Sequence, residues 1–184
     1  MGLTIHYSFE AKAQIDLQVK STIENLQQIA LRLPFKEVGE ICDFIGQECN
    51  PNAGSPETLL VQAAIDFDSE ELLDPPKRII GFTTLPGKGS ERANFALCRR
   101  ASFKWTFNGF CKTQGASDPD FGGVENFLRS HLALITLLDS AKQLGILESV
   151  KDEGAFWQNR DVDALVDHLG CFNQAVVKAR EQNP

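Results

Sequence analysis

From Trp105 to Leu138 the chain reads WTFNGFCKTQGASDPDFGGVENFLRSHLALITLL, and most of its reactive side chains fall in or near this stretch. Cys111 is a latent nucleophile, because a thiol deprotonates when a cation or a histidine stands beside it. Lys112 is adjacent in sequence, but on a strand it points to the other face, where it joins Gln114, Thr106, Asn108 and Phe110. That polar face either lines a cleft or meets solvent. Gly122 and Gly123 then open a helix whose first N–H groups lack partners and attract an anion, although glycines also serve close packing. Asn126 and Arg129 occupy neighbouring positions on one helix face. A guanidinium there suits a carboxylate or phosphate held through two hydrogen bonds, the plain alternative being an ion pair with Glu125. The expected site is one cleft, surrounded by Lys112, Gln114, Gly122, Gly123, Asn126 and Arg129 and taking a small anionic ligand.

Proton transfer at such a site falls first to His6 or Glu91, with Cys111 and His131 as further catalytic candidates. His131 lies on an apolar stripe, which favours a core histidine with satisfied nitrogens. Cys111 reads more simply as a buried thiol. The turn Pro86-Gly87-Lys88-Gly89-Ser90-Glu91 could expose N–H groups to an anion. It lacks the spacing and the following helix of a phosphate-binding P-loop, so it reads as a hairpin turn. Asp66 and Asp68 could share a strand face as magnesium carboxylates do, but they also continue into an acidic run. No histidine, cysteine or acid spacing marks a metal site, and no motif marks a cofactor. These residues leave open whether the protein is an enzyme.

The elements that would position these groups follow from periodicity. Leu3 to Phe9 alternates as a half-buried strand, and Ile15, Val19, Ile23, Leu26, Ala30 and Leu33 form a helix stripe that Pro34 ends. Lys36 to Ile45 reads as a strand weakened by Gly39. Gly46 to Pro56 reads as a loop, and Leu59 to Phe67 as a strand with helix as its alternative. Arg78 to Leu85 and Glu91 to Arg100 form a hairpin with a loop of about four or five residues, followed by a strand over Ser102 to Gln114. A broad apolar helix runs from Val124 to Leu144, and Asp161 caps a last helix. The expected class is α+β: an N-terminal strand–helix–strand, an antiparallel β-meander, and a C-terminal helical pair covering the sheet, in a single domain over residues 1–184.

Composition bounds the function class. The net charge of -7 opposes nucleic acid and anionic membrane surfaces. No leader-like or membrane-spanning run is present in the sequence, the longest apolar run being far short of the roughly 20 residues that cross a bilayer. A cytoplasmic location follows, with a small anionic ligand or a second copy of the chain (a homodimer) as the partners left open. The competing function is non-catalytic: an interaction or regulatory protein acting through its helical face.

The motifs LTIHYS, PGKGSE, GFCKTQ, DPDFGGVENFLRSHL and DEGAFWQNRDVDAL together resemble a family of uncharacterised bacterial proteins. The resemblance covers most of the chain. It implies a soluble bacterial protein without an assigned reaction and transfers no catalytic residue. Where that family tends to carry an aromatic after Gln114, this chain has Gly115, which weakens any use of that position in packing a ligand.

The five cysteines are scattered without a paired spacing, which implies reduced thiols. Thiol titration of the denatured, unreduced protein is therefore expected to find all five; a count of one or three would mean disulfides and overturn the cytoplasmic reading.

Overall fold

The computed structural model describes residues 3–11, 15–50, 58–66, 71–72, 74–101 and 104–182. Strand β1 (Thr4–Ala11) buries Ile5, Tyr7, Phe9 and Ala11 on one face, as the alternation requires. Helix α1 (Asp16–Ala30) buries Val19, Ile23, Leu26 and Ala30, its apolar stripe. The strand expected over Lys36 to Ile45 is split into β2 (Glu37–Val38) and β3 (Cys42–Ile45). The break falls at Gly39, where a Cβ would stand 3.1 Å from the Thr83 carbonyl oxygen.

Helix α2 (Thr58–Ala64) replaces the strand expected from Leu59. Its buried residues Leu59, Leu60 and Ala63 fall at helical spacing, and a short apolar run carries either periodicity. Phe67, Asp68 of the Asp66–Asp68 pair, and most of the expected Gly46–Pro56 loop lie outside the described residues. A small ribbon of β4 (Ile65–Asp66) and β5 (Glu71–Leu72) follows. Strands β6 (Arg78–Leu85), β7 (Ala93–Arg99) and β8 (Trp105–Lys112) form the meander. The β6–β7 loop runs from Pro86 to Arg92, longer than expected, because it reaches out to a helix of the C-terminal half.

That helix is α3 (Gly123–Gln143). After it comes β9 (Leu147–Asp152), which the sequence did not announce, then α4 (Phe156–Asn159) and α5 (Val162–Gln182). The main sheet is wholly antiparallel with the order β2-β6-β7-β8-β1-β9, and β3 shares the β2 edge of β6. Among the described residues no helix is long and apolar enough to cross a membrane.

The helices α1 and α3 lie against each other on the sheet face that carries Ile5, Tyr7, Phe9 and Phe95. The α+β class holds, but the partner of α3 over the sheet is α1. Helix α5 instead completes a smaller cluster, in which Leu165 and Leu169 are buried with Leu3, Ala116 and Phe127. Helix α2 covers β6, β7 and β8 from the opposite face, where Ile79, Ala96 and Cys98 are buried.

One side chain stitches the sheet's centre. Tyr7 on β1 lies over Gly109, its register partner on β8, and its hydroxyl donates to the Asn94 carbonyl on β7 at 2.6 Å. Its ring stacks on Phe95 with centroids 5.5 Å apart. A Cβ on Gly109 would stand 2.5 Å from that ring. Gly109→Ala is therefore expected to destabilise the protein by about 1–3 kcal/mol through overpacking, and Tyr7→Phe by about 1–3 kcal/mol through the orphaned carbonyl. Urea unfolding checks both; a neutral Gly109→Ala would mean that the ring does not rest on this glycine.

Candidate functional site

The most developed polar arrangement is buried. His131, on α3, has no solvent exposure. Its Nδ1 lies 2.9 Å from Thr113 Oγ1, just past the end of β8, and its Nε2 lies 3.3 Å from Asp152 Oδ2, at the end of β9. An ionised carboxylate can only accept, so Nε2 carries the proton; the Thr113 hydroxyl also lies 3.4 Å from the Leu3 carbonyl oxygen, to which it can donate. Asp152 also accepts from the Gly154 N–H at 2.8 Å and the Trp157 N–H at 2.9 Å. Burial pushes the Asp152 carboxyl up, but the hydrogen bond and charge of His131 and the two N–H groups outweigh it and hold it below its ordinary value.

A hydroxyl, an imidazole and a carboxylate in one chain are the components of an activated nucleophile. Here Thr113 and His131 are at 0% exposure and Asp152 at 6%, so the hydroxyl meets no substrate. The arrangement ties two strand ends to α3.

A second polar cluster reaches the surface at the first turns of α3. The Asn126 carboxamide is buried, and its Nδ2 donates to the Lys88 and Ala116 carbonyls, each at 2.9 Å. Its Oδ1 accepts from Arg129 Nη2 at 2.8 Å. Asn126 thus joins the β6–β7 loop, the turn after β8 and the Arg129 guanidinium. Gly87 is required by the close approach of that loop, since a Cβ there would stand 2.0 Å from Ser130 Oγ. Within the loop, Ser90 Oγ donates to the Gly87 carbonyl at 2.8 Å. The Lys88 ammonium lies 4.7 Å from the centroid of the Phe121 ring. Lys88 and Arg129 are exposed, and neither has a carboxylate partner among the described residues.

Of the residues expected to share one cleft, Gln114, Asn126 and Arg129 come together in this region. Gln114 is buried in the turn after β8 and donates from Nε2 to Asn173 Oδ1 on α5 at 3.1 Å. Gly122 and Gly123 have φ of 108° and 63°. A Cβ on Gly123 would meet nothing within 4 Å, so close packing does not require this glycine, whereas its positive φ favours it. No side chain caps α3 at this end. The Arg129–Glu125 ion pair is replaced by the bond to Asn126.

Lys112 departs from the cluster. Strand alternation puts it on the face of β8 away from α3, and its backbone N–H donates to Glu91 Oε2 at 3.3 Å. His6 is on that same far face, its ring 6.2 Å from that of Phe110, so it stands across the sheet from His131. Cys111 is buried and donates to the Glu91 carbonyl at 3.3 Å; burial and then the Glu91 charge push its thiol up, the opposite of an activated nucleophile. Burial likewise pushes Cys98 up to about 12. All five cysteines are free. The catalytic candidates therefore form no common centre. Sequence spacing missed Thr113, Asp152 and Asn173, which are far apart along the chain, and undervalued Lys88.

The chain matches no protein-family model, and no curated protein or solved structure is similar to it.

Asp152→Asn is expected to cost about 3–5 kcal/mol at neutral pH, the usual result of breaking one side of a buried pair. The folded carboxyl is depressed, so its contribution is complete above the unfolded value of about 3.9 and is lost as pH falls through the lower folded value. The stability gap between wild type and variant should shrink on acidification below about pH 4. A gap that stays constant in urea titrations through that range would refute the assignment.

Proposed function

We propose that the protein is a cytoplasmic binding protein for a small anion bearing a carboxylate or phosphate, held between Lys88 of the β6–β7 loop and Arg129 of α3. The observation that carries this reading is the Asn126 carboxamide, which fixes the Lys88 backbone and the Arg129 guanidinium at once. Two cations from distant parts of the chain are thereby presented on one rigid support. Arginine held in a fixed orientation loses less freedom on binding and pairs with both oxygens of an acid group. The uncapped N–H groups at the start of α3 add a partial positive charge. Gln114 and Asn126 act by positioning.

Binding without reaction is favoured because the groups that could move a proton are elsewhere or engaged. Glu91 is the nearest in sequence, and its carboxylate accepts from the Lys112 N–H. The competing interaction reading draws on a different corner. Ile15 and Leu17, exposed to 64% and 74%, flank Asp16, whose carboxylate binds Arg78, the register partner of the exposed Ile45.

Amide-shift titration with inorganic phosphate and with citrate tests the proposal. Saturable shifts are expected at Lys88, Asn126 and Arg129, with affinity reduced about tenfold to hundredfold in Arg129→Ala, the effect of losing a charge-assisted hydrogen bond of roughly 1.5–3 kcal/mol. Shifts that fail to saturate, or that persist unchanged in Arg129→Ala, would remove the anion site.

A further inference from the structure

Among the described residues only two that are not glycine have positive φ, and they bracket α4: Ala155 at 57° and Arg160 at 56°. An L-residue enters this region at a cost, so the kink persists only where side chains enforce it. At Arg160 the enforcement is visible. Its Nη1 and Nη2 donate to Asp139 Oδ2 and Oδ1 on α3 at 2.7 and 2.8 Å, and its Nε donates to the Trp157 carbonyl at 3.1 Å. The guanidinium carbon stands 4.6 Å from the Trp157 ring centroid.

Arg160 is also a boundary between helices. Its N–H donates to the Phe156 carbonyl, closing the turn of α4. The next residue, Asp161, caps α5 by accepting from the Ala164 N–H at 3.1 Å. Only left-handed Arg160 and the cap Asp161 therefore separate the two helices. With Arg160 in the right-handed region and Asp161 released from its cap into the helix, Phe156 to Gln182 would run as one straight helix of roughly 40 Å, at about 1.5 Å per residue.

Helix α5 docks through a core of its own, Leu165 and Leu169 against Leu3, Ala116 and Phe127, apart from the main core. Its polar contacts are His168, whose Nδ1 lies 3.1 Å from the Gly154 carbonyl oxygen, and Asn173, which accepts from Gln114 and donates to Ser117 Oγ at 3.4 Å. A groove that fits this helix fits the identical helix of another copy equally well. We infer that α5 is exchanged between two copies of the chain, with Arg160 as the hinge. The closed chain is kinked at Arg160. In the exchanged dimer each α4–α5 pair is straight, and each α5 fills the groove of the other copy. The docking contacts are the same in both forms, so the balance rests on the hinge and on concentration, as for other strained hinges.

The decisive comparison is Arg160→Ala against Arg160→Gly. Both remove the guanidinium from Asp139 and Trp157, and they differ only in backbone preference. Alanine favours the straight helix, and glycine tolerates the kink. With two hinges per dimer, the dimerisation constant of Arg160→Ala should exceed that of Arg160→Gly by at least about a hundredfold in sedimentation across a concentration series. Asp139→Asn, which frees the hinge while keeping Arg160, should raise the dimer fraction over wild type. To show that α5 is what crosses over, Gln114→Cys and Asn173→Cys are joined by a short bismaleimide in a Cys42→Ser, Cys171→Ser background. The dimer fraction should give a product of doubled mass on a denaturing gel, and the monomer fraction a single chain. Equal constants for the two Arg160 variants, an Asp139→Asn protein no more dimeric than wild type, or a dimer fraction whose linked product runs as a single chain would each overturn the exchange.

Discussion

An imidazole with no exposure to water needs a partner at each nitrogen, and the structure is arranged around meeting that need at His131. Burying a polar group unpaired costs a few kcal/mol, a large share of the 5–15 kcal/mol by which a domain is stable. The two partners come from different strand ends, Thr113 after β8 and Asp152 on β9. Meeting both at once sets the height and the rotation of α3 over the sheet. With α3 so fixed, Asn126 comes under the β6–β7 loop near one end of the helix, and Asp139 comes beside Arg160 near the other. The exposed cations and the α4–α5 kink are therefore downstream of one buried contact.

The two hydrophobic clusters differ in what they can bear. The main core contains Phe9, Phe82, Phe95 and Trp105, all fully buried, with Tyr7, Phe9 and Phe95 in mutual ring contact and Phe82 stacked on Phe95. Among the described side chains, α5 contributes Leu165 and Leu169 to the second cluster. At about 1.5–3 kcal/mol for each large aliphatic side chain buried, these two contribute on the order of 3–6 kcal/mol as an upper estimate. Ordering a long helix offsets much of that. Helix α5 also carries amide-to-amide and amide-to-hydroxyl contacts through Asn173. These contribute little energy but fix where along the groove the helix sits.

Much of the fold could be read along the chain, because each residue's role was local. The alternation of Leu3, Ile5, Tyr7 and Phe9, the stripes of α1 and α3, and the Asp161 cap are patterns of burial or capping written within a few residues. The failures have a physical cause as well. Leu59 to Ala64 is apolar but for Gln62, at a length that suits either element, and only its contacts with β6, β7 and β8 choose helix. Strand β9 is an edge strand with Glu148, Ser149 and Lys151 outward, so it lacks the apolar signal that marks central strands. At the site, Asn126 and Arg129 were legible because both lie on one helix. Lys88 and Asp152 were not, since their partners are distant in sequence, and Gly87 announced a turn while concealing its contact with Ser130.

The same geometry bears on how an acidic protein could hold an anion. A net charge of -7 repels such a ligand at long range, but at physiological salt the field decays within about 8 Å. Beyond that distance the rest of the surface neither helps nor hinders. Within it, Arg129 and Lys88 act locally, neither ion-paired among the described residues, and what sets Arg129 apart is the hydrogen bond to Asn126. Arg78, Arg92, Arg99 and Arg160 are all committed to Asp or Glu. Exposed pairs of that kind contribute little to stability, typically 0–1 kcal/mol, so leaving Arg129 unpaired costs the fold almost nothing. Holding it in place through Asn126 has a separate effect. It removes part of the side-chain entropy that a flexible arginine loses on meeting a ligand, so orientation rather than charge density is what this corner of the molecule offers an incoming acid.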